Sequence, residues 1–248
     1  MSKNEFIVYE NINLFLNNNT EPNVTFCVAN NGISDMVKNL IISANKNNIN
    51  LILFALDNKI VEELNGLCNI VKYFDNTINA DNFYKFDDEN FKDIVYQRYY
   101  IGNQILKTNK SYIYIDIDIV IKKNFVDDVL KQYENNDCDC LIQYNGVDCC
   151  TGFFSMRPTE KTLLIDHNFF KRKNFSFFSN DQTFWNRCIY ENKFINIKFL
   201  SIEDYPNGGY FYKNSDNIQN NCYIIHFNGI IGHDTKVNKM KYYNEWYL

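Results

Sequence analysis

The run Tyr112-Ile-Tyr-Ile-Asp116-Ile-Asp118-Ile-Val-Ile121 is the most strand-like part of the chain. Its strict alternation predicts one strand, with the isoleucines from Ile113 to Ile119 on one face and both carboxylates on the other. Two neighbouring carboxylates lose hydration and repel each other when they are buried. A divalent cation removes this conflict, and carboxylate oxygens suit Mg²⁺ or Mn²⁺. The run therefore predicts a strand that carries a candidate metal site.

Short apolar runs alternate with amphipathic stretches on both sides of this run, which is typical of an α/β fold with a mixed, mostly parallel sheet flanked by helices. Strands are predicted over residues 24–29, 51–56, 69–73, 112–121, 141–144 and 152–156. Helices are predicted over residues 33–44, shortly after Lys59, over 89–107, and over 179–190 with Ser179 or Asn180 as the cap. We expect one domain over residues 21–248, preceded by an N-terminal arm of residues 1–20.

The aspartate pair has two interpretations. An open α/β sheet binds ligands at the carboxyl ends of its strands, and Asp116 and Asp118 would lie there. The alternative is an exposed strand end with two solvated acids, because two aspartates separated by one residue form a short and common pattern.

The segment from Tyr223 to Met240 contains a second set of candidate residues. His226 follows an apolar strand and can supply a neutral imidazole ligand. Lys236 can neutralise an anionic leaving group, and Gly232 lets the backbone approach a phosphate. Taken by itself, a histidine such as His226 is more often a hydrogen-bonded structural residue than a metal ligand.

Composition excludes several classes of protein. The chain has 248 residues, 46% of them hydrophobic, which suffices for one sizeable core, and the net charge of −5 argues against nucleic acid as the main partner. No apolar stretch approaches the length of a membrane span, and no signal peptide is recognisable, so we expect a cytoplasmic protein, in the host cytoplasm if the source is a virus.

The 8 cysteines are then expected to be free thiols. A zinc site is the alternative for Cys138-Asp-Cys140 and Cys149-Cys150, which lack the usual two-residue gap.

Seven segments spread along the chain carry a resemblance to a known family. They are Thr25-Phe-Cys-Val-Ala29, Ala55-Leu56-Asp57, Tyr114-Ile-Asp116-Ile-Asp118-Ile-Val120, Thr151-Gly152-Phe-Phe-Ser-Met-Arg157-Pro158, Asn180-Asp181-Gln182-Thr-Phe-Trp-Asn186, Tyr205-Pro206-Asn207-Gly208, and His226-Phe-Asn228 with Gly232 and Lys236. In order and spacing, from about residue 23 to residue 246, they resemble the nucleotide-diphospho-sugar transferase family. These are glycosyltransferases of the GT-A fold, related to the retaining α-glycosyltransferases of the GT77 class.

The resemblance implies a role for each matching position. Asp116, Asp118 and His226 resemble the metal ligands, and Lys236 resembles the residue that holds the diphosphate. Three further groups are implied: Ala29, Asn30, Asn31 and Asp57 around the nucleoside, Arg98 and Gly152 beside the donor sugar, and Asn228 and Gly232 in the donor-binding segment that follows His226.

Asp181 and Gln182 resemble the catalytic pair that lines the donor-sugar and acceptor pocket. Retaining enzymes of this fold are thought to use front-face attack, in which the departing phosphate oxygen helps to deprotonate the acceptor. Asp181 is then expected to orient groups and stabilise the oxocarbenium-like centre rather than to attack it. Arg98 and Gly152 also have plain alternatives, a solvated helix charge and a strand-start glycine.

The resulting expectation is a glycosyltransferase that requires Mn²⁺ or Mg²⁺ and transfers a sugar from a UDP-sugar to a glycan or other hydroxyl acceptor, with retention of configuration. The main alternative is a catalytically silent module of the same fold that binds nucleotide sugars or glycans. A sugar-1-phosphate nucleotidyltransferase shares such a sheet, but the chain has no Gly-rich, Arg-containing loop after its first strand. The third alternative is a zinc-binding interaction domain.

Overall fold

The computed structural model describes residues 6–74, 91–178 and 180–248. The predicted helix start at residue 89 and the alternative cap Ser179 lie outside the described residues. The described strands are β1 (Val8–Tyr9), β2 (Asn23–Ala29), β3 (Leu51–Ala55), β4 (Asn69–Lys72), β5 (Ser111–Ile115), β6 (Ile119–Ile121), β7 (Cys140–Tyr144), β8 (Cys149–Met156), β9 (Ile197–Phe199) and β10 (Ile224–His226).

The helices alternate with these strands through the first half of the chain. The described helices are α1 (Ile12–Asn18), α2 (Ser34–Lys46), α3 (Asn58–Leu64), α4 (Phe91–Leu106), α5 (Val126–Glu134), α6 (His167–Arg172), α7 (Asp181–Trp185), α8 (Gly208–Ile218) and α9 (His233–Tyr242). Single 3₁₀ turns lie at Asn31–Ile33, Thr162–Leu164 and Phe175–Phe177. No described helix has both the length and the apolar character needed to cross a membrane.

The main sheet contains eight of the described strands, in the order β1-β4-β3-β2-β5-β8-β7-β9. β8 is antiparallel to β5 and β7, and every other neighbouring pair in this sheet is parallel. β6 and β10 form a separate antiparallel pair. The predicted α/β fold with a mixed, mostly parallel sheet flanked by helices is confirmed.

The prediction of a single strand over residues 112–121 is wrong. β5 ends at Ile115 and β6 begins at Ile119, and in the turn between them the Ile119 amide donates to the Asp116 carbonyl at 3.2 Å. β5 belongs to the main sheet, whereas β6 pairs with β10. The alternating isoleucines still share one core layer, so the hydrophobic pattern is continuous although the hydrogen-bonded strand is not.

The two faces of the main sheet carry separate hydrophobic layers because successive side chains of a strand point to opposite faces. On one face, Phe26 and Phe154 lie in the layer that contains Tyr99 of α4 and Trp185 of α7. The other layer is lined by helices α2, α3 and α5. A third, smaller cluster joins α8, β10 and α9 around Phe211 and Phe227.

Side-chain caps explain where several helices begin. Asn and Asp are favoured at this position because their side chains accept a hydrogen bond from an otherwise unpaired backbone amide of the first turn. The caps of this kind are Asn11 for α1, Asp57 for α3, Asp166 for α6, Asn180 for α7 and Asn207 for α8. The helix predicted for residues 179–190 therefore starts at Asp181, and it widens into a π-helical turn over Asn186–Tyr190.

Residues 6–20, the described part of the predicted N-terminal arm, contribute to both the sheet and the core. β1 pairs with β4 at the sheet edge, and Ile12 and Phe15 are buried in the layer that contains Phe54. The boundary of the domain at residue 21 stays a prediction.

Candidate active site

The turn after β5 places two carboxylates at the carboxyl edge of the main sheet. The Asp116 amide donates to the Gly152 carbonyl of β8 at 2.7 Å, and the Phe227 amide donates to the Asp118 carbonyl at 2.9 Å. The backbone therefore ties the two aspartates to β8 on one side and to the end of β10 on the other. His226, the last residue of β10, is brought to the same place by this pairing.

Asp116, Asp118 and His226 form a compact group of possible metal ligands. His226 Nε2 lies 3.2 Å from Asp118 Oδ1 and 3.9 Å from Asp116 Oδ2, and one atom of each residue falls within 4.8 Å of the others. His226 and Asp118 are buried, whereas the Asp116 side chain keeps 32% of its surface exposed. The structure thus brings together all three residues predicted as ligands, with one opening to solvent at Asp116.

Lys236 completes the charge balance of this group. Its Nζ lies 2.6 Å from Asp118 Oδ2, and it extends from the first turn of α9. Burial raises the pKa of Asp118. Lys236 and His226 lower this pKa by a larger amount, so it lies well below the usual range of an aspartate. For His226, burial lowers the pKa while Asp118 and Cys150 raise it more, to about 10.

Arg98 of α4 is a buried connector between two carboxylates. One guanidinium nitrogen donates to Asp116 Oδ1 at 3.1 Å, and the other forms a very short ion pair with Asp181 and donates to Thr151 Oγ1 at 3.2 Å. The Arg98 side chain is 2% exposed, which excludes the alternative of a solvated helix charge. Burial lowers the pKa of Arg98, but Tyr99, Tyr114 and Asp116 raise it above its ordinary value.

Asp181 is held by a second donor next to Arg98. Tyr99 Oη donates to Asp181 Oδ2 at 2.7 Å, and Asp181 is buried at the start of α7. Burial, opposed by Arg98, raises the pKa of Tyr99 to about 12, so the phenol stays protonated and donates. Gln182 follows in the same helix and is half-buried. The predicted catalytic pair therefore lies at one end of the Arg98 ion pairs, with the candidate metal ligands at the other.

Gly152 is required by the close approach of three chain segments. A Cβ atom at this position would lie 2.7 Å from Asp116 Oδ2 and would overlap the His226 ring. A side chain larger than hydrogen would therefore push the two candidate ligands apart. The alternative of a generic strand-start glycine does not account for this packing.

The residues predicted around the nucleoside lie where β2 and β3 end. Asp57 uses both carboxylate oxygens on the backbone, accepting from the Asn31 amide at 2.8 Å and from the Ile60 amide at 3.0 Å. Ala29 and Asn30 are buried, and the Asn31 Oδ1 atom is buried without a hydrogen-bond partner among the described residues. Asp57 thus shapes the loop, while Asn31 offers an unused acceptor.

Asn228 and Gly232 occupy the segment between β10 and α9. Asn228 Oδ1 accepts from the Gly208 amide at 2.6 Å, and its Nδ2 donates to Cys150 Sγ at 3.4 Å. Gly232 has φ +97° just before α9, a conformation that favours glycine. Asn228 therefore holds the segment in place with both ends of its amide.

Four residues of the site were missed by the sequence analysis: Tyr99, Tyr114, Gln143 and Thr151. Tyr114 Oη donates to Asp116 Oδ1 at 2.7 Å, and Gln143 Oε1 lies 2.7 Å from His226 Nδ1. Gln143 had a visible signal, since it is a polar residue within the apolar strand Leu141-Ile-Gln-Tyr144. Tyr114 and Thr151 each begin one of the segments that carry the family resemblance, but they were assigned no role. Tyr99 had no signal, because aromatic residues are ordinary in a sheet and its covering helices.

All 8 cysteines are unpaired in the structure, and all are buried. Among the described residues, the Asp116, Asp118 and His226 group is the only cluster of three or more potential ligands, and it contains no cysteine.

Comparison with known proteins gives concordant results. A model of the nucleotide-diphospho-sugar transferase family matches residues 47–240. The UDP-galactose:fucoside alpha-3-galactosyltransferase of Dictyostelium discoideum is 24% identical in an alignment of 209 positions, gaps included, that covers 69% of this chain and 30% of that protein. The chain thus spans about a third of the length of this curated relative.

Two solved glycosyltransferases share the fold. The galactosyltransferase LgtC, solved in complex with donor and acceptor sugar analogs, superposes with a TM-score of 0.54 and 11% identity, covering 90% of this chain and 94% of that chain. The glycosyltransferase GlyE of Streptococcus pneumoniae superposes with a TM-score of 0.55 and 11% identity, covering 82% of this chain and 54% of that chain. The predicted GT-A fold is confirmed, and since the family model covers most of the chain, the chain belongs to the nucleotide-diphospho-sugar transferase family.

Proposed function

We propose that this protein is a metal-dependent glycosyltransferase that transfers a sugar from a UDP-sugar to a glycan or other hydroxyl acceptor, with retention of configuration. The convergence of Asp116, Asp118 and His226 with Lys236 at one edge of the sheet carries the proposal. The family match supports a nucleotide-sugar donor. The name of the Dictyostelium relative supports UDP-galactose as the first donor to test, and its α linkage agrees with retention.

The candidate ligands fit a divalent cation. Two carboxylates and an imidazole suit Mn²⁺, and Gly152 leaves the space between Asp116 and His226 free of a side chain. Asp116, Asp118 and His226 would hold the cation, with the exposed side of Asp116 facing the donor. When bound, the cation would neutralise the diphosphate and stabilise the charge that develops as it leaves.

The other residues of the site act on one of two groups, the departing diphosphate or the sugar ring. Lys236 stabilises the negative charge on the departing diphosphate, and Gly232 and Asn228 shape the backbone beside it. Asp181 faces the positive charge on the sugar ring, with Gln182 and Gly152 lining the same pocket. Because Arg98 and Tyr99 both hold Asp181 Oδ2, this carboxylate positions and stabilises rather than attacks.

The nucleoside is assigned to the ends of β2 and β3. The buried Asn31 Oδ1 atom, which has no partner among the described residues, supports an acceptor role toward the ribose or base. Ala29 and Asn30 form the floor beside it. Asp57 accepts a hydrogen bond from the Asn31 amide and so holds the loop in place. We assign its carboxylate this role in addition to a contact with the base.

The test is a screen of UDP- and GDP-sugars for hydrolysis or transfer, read as released nucleotide, with Mn²⁺ and with EDTA. We expect release that depends on Mn²⁺ from a UDP-sugar. Release that is unaffected by EDTA would contradict metal dependence, and UDP binding without cleavage of any sugar would favour a catalytically silent binding module.

Asp118→Asn tests the metal assignment directly. We expect loss of Mn²⁺-dependent UDP binding, measured by calorimetry, because the substitution removes the charge of one buried ligand and keeps its shape. Asp216→Asn is the matched control, since Asp216 is exposed on α8. Wild-type UDP affinity in a folded Asp118→Asn protein would overturn the assignment.

A further inference from the structure

Gln143 is a buried polar residue on an otherwise apolar face of β7. It is fully buried, and its neighbours Leu141 and Ile142 belong to the hydrophobic layers of the main sheet. A buried amide is destabilising unless its nitrogen and its oxygen both find partners. The partners of Gln143 therefore show what this residue does.

The orientation of the Gln143 amide is determined by a backbone carbonyl. Gln143 Nε2 donates to the Tyr205 carbonyl oxygen at 3.1 Å. A carbonyl only accepts hydrogen bonds, so the NH₂ end must face Tyr205, and the oxygen end must face His226. Tyr205 is itself anchored, because its amide donates to the Ser201 carbonyl at 2.8 Å and its hydroxyl to Asp128 at 2.7 Å.

This orientation assigns the proton on His226. Gln143 Oε1 lies 2.7 Å from His226 Nδ1, and an amide oxygen only accepts, so Nδ1 carries a hydrogen. A metal-bound imidazole is neutral and has one N–H, so when a cation takes the place of the second ring proton, the nitrogen other than Nδ1 presents the lone pair. That nitrogen is Nε2, which faces Asp118 and Asp116.

A distortion of the sheet helps to bring these groups together. The β7–β8 pairing shifts between Ile142 and Gln143, so that Ile142 faces Phe154 while Gln143 faces Cys150. The β8 residues that this shift leaves without a partner on β7 include Gly152. Gly152 lies so close to His226 that an added Cβ would overlap the ring. Cys150 Sγ lies 3.7 Å from His226 Nδ1 and accepts from Asn228, so the thiol is a weaker partner than the Gln143 amide.

We propose that Gln143 is a positioning residue, which holds His226 with its Nδ1–H in a hydrogen bond and its Nε2 lone pair directed at the cation site. It does not touch the donor and acts only through His226. The inference rests on the proposed function, since that function supplies the cation. Partners of this kind raise metal affinity because they orient the ring and select the ligating nitrogen.

The first test measures Mn²⁺ affinity by calorimetry in the full chain. Gln143→Leu removes the acceptor at similar volume, and we expect affinity to fall about 10–100-fold. Gln143→Glu retains an acceptor for Nδ1–H and should recover most of the affinity. Asn39→Leu is the matched control, because the buried Asn39 amide likewise makes two hydrogen bonds, to Glu245 and Tyr247, away from the site. Its Mn²⁺ affinity should equal that of the wild type.

Wild-type affinity in Gln143→Leu, or equal losses in the Leu and Glu variants, would overturn the proposal.

A second measurement does not depend on metal binding or on variants that fold. In protein labelled with ¹⁵N at its 3 histidines, we expect a ring N–H at Nδ1 of His226 that is protected from exchange, whether or not Nε2 is also protonated. Its absence from the wild type would overturn the proposal. If the wild type shows this N–H but binds no Mn²⁺, the proposed function fails while the hydrogen-bond assignment stands.

Discussion

The Asp118 side chain is stabilised as a carboxylate by the individual side chains around it. Its carboxylate is buried, yet Lys236 and His226 contact its two oxygens at 2.6 Å and 3.2 Å. Asp116 is similarly contacted by Arg98 and Tyr114. Because Asp118 already has cationic partners, it can remain ionised in its buried place before any ligand arrives.

The substitution Lys236→Ala tests what this single side chain contributes. We expect turnover of the UDP-sugar to fall about 100-fold, because a positioned cation that stabilises the leaving group contributes to the transition state. The side chains of Lys236 and Asp118 are only 19% and 8% exposed, so without metal the loss of this pair should lower the melting temperature. With Mn²⁺ present, the bound cation would balance the charge of Asp118, so the fall in melting temperature should be smaller. Initial rates and thermal melts are the measurements, with the exposed Lys213→Ala as the control. Turnover equal to the wild type would contradict the assignment of Lys236.

At the scale of elements, two irregularities build the site. β5 stops at Ile115 so that the aspartates enter a turn, and β8 shifts its pairing with β7 so that Gly152 reaches the same turn. Regular strands would direct Asp116 and Asp118 to one face of a flat sheet without His226 beside them. The break in β5 and the shift in β8 are therefore the local features on which the cluster depends.

Gly152→Ala tests this dependence. The added Cβ would overlap His226, so we expect a loss of about 1–3 kcal/mol in the free energy of unfolding together with the loss of Mn²⁺ binding. Gly102→Ala is the matched control, because a Cβ there would lie 2.6 Å from the Tyr112 ring, away from the cluster. The control should lose stability and keep Mn²⁺ affinity, as measured by denaturant unfolding and calorimetry. Retention of Mn²⁺ affinity in Gly152→Ala would show that the cluster tolerates displacement.

At the scale of the whole molecule, the C-terminal elements close over the site. α9 carries Lys236 and is attached to α2 by His233, whose Nε2 lies 2.8 Å from Asp35 Oδ1. The following residues are anchored as well, since Asn39 of α2 bonds to the backbone of Glu245 and Tyr247. The placement of Lys236 beside Asp118 therefore depends on the contact between His233 and Asp35 of α2, far away in the sequence.

The His233 attachment predicts a dependence of stability on pH. Burial lowers the pKa of His233, but Asp234 and Asp35 raise it more, so its net pKa is above the ordinary value of 6.5. A raised pKa means that the protonated form stabilises the fold at pH values below the unfolded pKa, and that this contribution disappears as the pH rises through the folded pKa. The melting temperature of His233→Gln should fall below that of the wild type by at most about 4 °C at pH 6, and the gap should narrow by pH 9. A gap that is constant or widens with pH would contradict this role.

The sequence alone predicted most of the elements and the identity of the candidate ligands. Alternation and helical spacing are local properties, so the strands near residues 24–29 and 51–56 agree with β2 and β3 within one residue. The same local rules failed within residues 112–121, because a turn between two sheets leaves the hydrophobic alternation unchanged. The match of motif order also predicted the family, which the comparison confirmed.

Only the tertiary structure decided which side chains meet. Arg98 and Asp181 are 83 residues apart, as are Gln143 and His226, and Lys236 is 118 residues from Asp118. Periodicity assigns a residue to a face of its own element, whereas these contacts depend on how strands pair and helices pack across the whole chain. For this reason the sequence identified Asp116, Asp118 and His226 by type and spacing. The charge balance around them, and the role of Gln143, follow from the packing.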